Sequence, residues 1–127
     1  ADHLFREGME RYVKGEYEEA ARNLRECGRL GIGRQPPGGS AEIDFFLGLS
    51  FLLAGQPDSA LAPLADAGES PILVIRDRSH WYLAQAHLQR EDARLAAPLL
   101  EGLAASSPVY AAAARRQLTA LRKLTER

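Results

Sequence analysis

The sequence predicts an all-α protein made of antiparallel helical hairpins, and three observations carry that prediction. One pattern of small and large apolar residues recurs, in Gly8–Leu24, Gly48–Leu64 and Ala84–Leu100. Within each copy the apolar residues return at three- and four-residue intervals, the period of a helix face. Hydrophobic residues make up 46% of the chain and aromatics 7%, with Ala and Leu prominent, a composition suited to close helix packing.

The copies align without gaps. Gly8, Gly15, Ala20 and Leu24 fall on Gly48, Gly55, Ala60 and Leu64, each 40 residues later. Gly48, Ala60 and Leu64 fall on Ala84, Ala96 and Leu100, each 36 residues later. Constant spacing inside a unit with variable spacing between units marks a repeat joined by linkers.

These residues resemble the tetratricopeptide repeat. A small residue stands in the first helix (Gly8, Gly48, Ala84), and Gly15-Glu16-Tyr17 matches the family's Gly-x-Tyr turn. Ala with a large apolar residue four places on follows in the second helix, and Pro108 stands where the family often ends a unit. Pro57 and Ala93 replace the turn tyrosine, Glu91 replaces the turn glycine, and Tyr12 lies one place beyond the usual aromatic. The resemblance implies hairpins stacked as a right-handed α-α superhelix. It gives one domain over 1–127: a first repeat at 2–28, a linker at 29–40, a second repeat at 41–68, a third at 71–107, and a capping helix at 109–125.

Residues 2–14 carry Leu4, Phe5, Gly8, Met9, Tyr12 and Val13 at helical spacing, and Gly15 supplies the positive-φ turn. In 17–28, Ala20, Ala21, Leu24 and Cys27 face inward, and Glu18 and Glu19 suit the positive end of the helix dipole. Cys27, the single cysteine, reads as a small buried hydrophobe and leaves no internal disulfide or Cys-based zinc site. The stretch 28–40 holds five Gly and Pro36-Pro37, which break regular structure. Its Gly31-x-Gly33 follows no strand, so it is not a nucleotide loop.

Ser40 is expected to cap a helix over 41–54 that is apolar on nearly every side, as for a helix covered by neighbours. Pro57 suits a first helical position and opens 57–67. Ser70-Pro71 are expected as cap and first residue of a helix reaching about Gln89, with Ile72–Ile75 as its first turn or, less well suited to an all-helical chain, a short strand. Residues 92–105 return, and Ser106-Ser107-Pro108 stop them. Pro63 and Pro98 fall inside second helices on the outer side, where kinks are expected without termination. The last helix, 109–125, turns Ala114, Leu118 and Leu121 inward and its basic residues outward, as a soluble cap requires.

Net charge is −1, giving no global attraction to nucleic acid or anionic lipid. The basic last helix lacks interleaved aromatics, so no nucleic-acid partner is expected. No apolar run reaches the roughly 18 residues of a membrane span, so no insertion by this segment is expected. His80 and His87 share a helix face but stand about 10 Å apart along it, with no carboxylate between them. Ser50 has no base nearby, and no Gly-x-Ser-x-Gly elbow exists. No enzyme activity, cofactor or metal is expected.

The resemblance assigns a concave groove to the first helix of each hairpin. The residues at such positions are Phe5, Met9 and Tyr12, then Phe45, Leu49 and Leu52, then Trp81, Tyr82 and Gln85, with Arg78 at the edge. The Lys/Arg and Asn clamp by which some family members grip a C-terminal carboxylate is absent. An apolar, aromatic-rich groove suits a peptide or helix of a partner protein, and these side chains equally suit a core. The alternative is a structural module that packs on its own copy or on the rest of a larger protein. The chain begins at Ala1, as a processed form or a piece of a longer protein would, with cytoplasmic and extracytoplasmic locations both open. Its Ala/Leu-rich, Arg-rich style resembles repeat arrays of larger bacterial regulatory or envelope proteins.

Overall fold

A computed structural model describes residues 2–30 and 39–125, with Asp2 described by its backbone only. Among these residues the protein is all-α, with seven helices: α1 (Asp2–Val13), α2 (Tyr17–Leu30), α3 (Gly39–Leu53), α4 (Pro57–Ala67), α5 (Leu73–Gln89), α6 (Ala93–Ser106) and α7 (Ala111–Thr125). Each helix packs against the next in sequence. Beyond these neighbours, α1 meets α3 and α3 meets α5, whereas α2, α4 and α6 do not approach one another. That arrangement is consistent with a helical repeat.

The three hairpin turns are built alike, atom for atom. Gly15, Gly55 and Glu91 occupy the left-handed region at φ 82°, 79° and 58°. In each turn the left-handed residue's N–H reaches back three residues, to the carbonyls of Tyr12, Leu52 and Leu88. The following N–H, of Glu16, Gln56 or Asp92, donates to Arg11, Phe51 or His87 at 2.8–2.9 Å. This six-to-one closure satisfies carbonyls that the ending helix leaves open. Glycine enters this backbone without steric cost, and Glu91 does not.

Behind the turns, the recurring small residues set how closely the two helices approach. A Cβ on Gly8 would lie 2.8 Å from Leu24 Cγ, and one on Gly48 would lie 2.5 Å from Leu64 Cγ. Leu24, Leu64 and Leu100 are fully buried, as are Ala20, Ala60 and Ala96. Truncating any one of the three leucines to Ala removes about 2–5 kcal/mol of stability. The main core joins α2 to α5 around Leu24, Phe45 and Leu64. A second cluster, Ala84, Ala96, Leu100, Leu103 and Ala114, joins α5, α6 and α7. Cys27 is buried on α2.

Several local expectations need correction. Helix α3 already includes Gly39 and Ser40, so Ser40 lies inside the first turn and does not cap it. Ser70 does not cap α5. Its hydroxyl accepts the Ile72 N–H at 3.1 Å, which forms a turn, and helix α5 begins only at Leu73 after an extended Ile72. Leu73–Ile75 are helical, not a strand. The Ser107 hydroxyl likewise accepts the Tyr110 N–H at 3.2 Å, so α7 starts at Ala111. Of the linker expected over 29–40, Arg29 and Leu30 belong to α2, and residues 31–38 lie outside the described residues. Helices α4 and α6 continue through Pro63 and Pro98.

Candidate interaction groove

A file of aromatic rings crosses the helices in contact order. Tyr17 meets Tyr12 at 5.8 Å between centroids, Tyr12 meets Phe46 at 5.6 Å, and Phe46 meets Phe45 at 5.0 Å. Phe45 in turn meets Tyr82 at 6.0 Å. The first three pairs are edge-on, the geometry that the ring quadrupole favours. Four elements therefore contribute: α2, α1, α3 and α5. Phe45 is buried, whereas Tyr12, Phe46 and Tyr82 are half-buried and keep one side open.

The file ends in a groove of about 290 Å³ between α3 and α5, lined by Glu42, Phe45, Phe46, Ile72, Val74, Ile75 and Arg78. Two of its apolar lining residues, Ile72 and Val74, are 44% and 64% exposed, and Leu73 between them in sequence is 59% exposed. Three consecutive exposed β-branched or Leu side chains beside open aromatic rings form a patch, unlike singly scattered surface apolars. Arg78 stands over the ring of Phe45, its guanidinium carbon 5.9 Å from the centroid. A cation in that position is attracted to the ring face.

Burial raises the phenol pKa of both Tyr12 and Tyr110, and the neighbouring Tyr82 adds to each. Arg78 opposes the shift by its charge in both cases, and at Tyr110 also by a hydrogen bond.

The nine residues assigned to a groove from sequence divide into four groups. Tyr12, Phe45 and Tyr82 belong to the ring file. Phe5 and Met9 lie on α1 with Val13, in a separate apolar patch flanked by Arg6, Glu10 and Lys14. Leu49 and Leu52 are buried in the main core, 5% and 6% exposed. Trp81 stacks on Tyr110 at 5.3 Å, and Gln85 is hydrogen-bonded to Gln117, so both bind α7 and its approach to α5. Sequence reasoning did not place Phe46, Ile72 or Val74 in the groove. The signal for them was a continuous apolar run without a polar face.

His80 and His87 are partly buried, whereas His3 is exposed. His80 lies over Gly68, where a Cβ would come within 2.8 Å of its ring. Burial lowers the pKa of His87, with Asp92 opposing the shift. Among the described residues no three His, Cys, Asp or Glu side chains converge as a metal site would require, and no helix is long and apolar enough to cross a membrane. No protein-family model matches the chain, and no curated protein or solved structure matches it either.

Proposed function

We propose that this chain is a non-enzymatic interaction module of the tetratricopeptide type. Its hairpins stack as a right-handed superhelix, and its concave side takes an apolar peptide or helix of a partner protein. The observation that carries the reading is the exposed Ile72-Leu73-Val74 run at the groove that Ile72 and Val74 form with Phe45 and Phe46. The repeat-frame identity of the three turns and of the Gly8/Leu24 and Gly48/Leu64 contacts supports the family assignment. The test uses immobilised apolar dodecamer peptides and the Ile72→Glu/Val74→Glu variant. Both side chains are exposed, so circular dichroism should show unchanged helicity. Peptides bound by the wild type and lost with the variant place the occupant in this groove; equal capture by both proteins refutes that placement.

A second reading rests on α1. Phe5, Met9 and Val13 share one face, and Val13 is 80% exposed. Such a face suits a second copy of the chain, or the remainder of a larger bacterial regulatory or envelope protein. Sedimentation showing only monomer at high concentration refutes self-association.

A further inference from the structure

We propose that the open groove between α6 and α7 is a second docking surface, which takes one aromatic side chain of a partner peptide together with an adjacent acidic residue. It shares no lining residue with the groove between α3 and α5, so the two surfaces stand or fall separately.

The groove has a volume of about 550 Å³. Ala97 of α6 and Leu118 and Leu121 of α7 give it apolar walls, and Arg94, Glu101 and Arg122 stand around them. In the repeat frame Glu18, Ala21 and Arg25 fall on Arg94, Ala97 and Glu101, 76 residues later. Those three earlier residues line the corresponding groove between α2 and α3, which the chain itself narrows to about 170 Å³. The Phe51 ring of α3 borders that groove, and Arg25 lies over the ring with its guanidinium carbon 4.9 Å from the centroid. The third copy has neither part: its α7 wall is leucine, and Glu101 takes the place of Arg25. A ring supplied from outside would fill the space that Phe51 fills in the first copy.

The charges differ between copies as well. In the second copy the place of Arg94 holds Asp58, whose carboxylate binds Arg90 at the end of the following helix, α5. In the third copy the end of the following helix again offers a cation, Arg122, but the residue in the place of Asp58 is now Arg94. Two cations thus border one groove, and among the described residues neither pairs with a carboxylate. The surrounding field has the same sign, because α7 carries Arg115, Arg116, Arg122 and Lys123 and no acid. An acidic side chain of the partner restores the missing half of the ion pair. Glu101, about 10 Å from Arg94 along α6, repels an acid at the other end and so sets the direction of the peptide. Walls of Ala and Leu offer no ring on which a nucleobase could stack, which favours a peptide over a nucleic acid.

The experiment uses immobilised dodecamers in a Gly/Ser background, with one Phe flanked by Glu. Full-length wild-type protein should bind this peptide about tenfold more tightly than a form with Ala for Phe. At low salt it should also bind about fivefold more tightly than a form with Gln for Glu. Arg94→Glu with Arg122→Glu changes two exposed residues and should abolish the preference for Glu over Gln. Ala97→Phe supplies a ring from within and should weaken binding of the Phe peptide about tenfold. Circular dichroism checks the fold of both; if Ala97→Phe does not fold, the charge variant still decides. Absence of binding to the Phe/Glu peptide, or the same acid preference in wild type and charge variant, refutes the proposal. The Ile72→Glu/Val74→Glu variant should bind like the wild type, and loss of binding there would move the peptide to the α3–α5 groove. Tighter binding of a single-stranded oligonucleotide than of the peptide would overturn the assignment in favour of nucleic acid. A wild-type dimer in sedimentation that the charge variant does not form would overturn it in favour of a second copy.

Discussion

Gln85 of α5 and Gln117 of α7 exchange both amide hydrogen bonds: the Nε2 of each lies 2.9 Å from the Oε1 of the other. The backbones of α5 and α7 do not closely approach, so this pair is a side-chain tie across that gap, alongside the apolar cluster of Ala84 and Ala114 and the stack of Trp81 on Tyr110 just before α7. Both amides are partly buried, and each satisfies the other. Removing one leaves its partner's donor and acceptor stranded. Gln117→Ala should therefore cost about 1–3 kcal/mol in urea unfolding, whereas Gln85→Leu with Gln117→Leu should fall much nearer wild type, because burying two apolar groups strands nothing. A double-mutant cycle checks this, and additive single effects would mean that the amides act independently.

The third hairpin turn has an inherent cost. Glu91 sits at φ 58°, where Gly15 and Gly55 stand in the other two turns. Left-handed backbone costs an L-residue about 1–2 kcal/mol. Glu91 is exposed. Glu91→Gly is expected to raise stability by about 1 kcal/mol, reduced somewhat by the greater entropy of the unfolded glycine chain. Thermal unfolding of the pair of proteins reads this directly. An unchanged or lower midpoint would show that the turn relaxes around the glutamate.

Close helix approach makes the opposite prediction at Gly48. Alanine would favour the helix by about 1 kcal/mol at an exposed site. Here its Cβ would meet Leu64 Cγ at 2.5 Å and the Leu64 backbone nitrogen at 3.2 Å. Backbone cannot move aside as a flexible side-chain end does. Overpacking of this kind costs about 1–3 kcal/mol, so Gly48→Ala should destabilise despite its helix propensity. Ala84 takes the equivalent place opposite the fully buried Leu100, which shows that the third hairpin is spaced to admit one methyl. Ala84→Gly should accordingly leave a small cavity and also destabilise.

The hairpins were legible in the sequence because the residues that fix them are the ones whose size matters most. Gly8 and Gly48 meet Leu24 and Leu64 so tightly that only glycine fits, and the turn residues at 15 and 55 need positive φ. Such constraints repeat at fixed spacing and can be read without coordinates. The groove was less legible. Helix α3 is apolar around its whole circumference, so periodicity gave no way to tell Phe46, which stays partly open, from Leu49 and Leu52, which are core. The role of Gln85 depends on Gln117, far along the chain and outside the repeat. Ser70 has the composition of a cap, yet its hydroxyl serves the N–H two residues on, a competition that composition alone does not resolve.

A carboxyl at the base of α3 makes stability depend on pH in the direction opposite to ordinary surface acids. Asp44 is half-buried beside Asp66, in a depression whose described lining also includes Ser40, Glu69 and Ser70. Burial, and then the charge of Asp66, raise its pKa from 3.8 to about 6. Between those values the folded state holds a proton that the unfolded chain has released. Its contribution is therefore fully present below about pH 4 and is lost as pH rises through about 6. Because the group is partly solvated, the effect is on the order of 1 kcal/mol rather than the full shift. Asp44→Asn should stabilise the protein by about that amount at pH 7 and by little at pH 4.5. Paired urea titrations across this range isolate Asp44 and its coupling to Asp66, since the more distant carboxylates contribute equally to both proteins. A constant difference between the two at every pH would show that Asp44 titrates as an ordinary solvated acid and that the gain comes from packing alone.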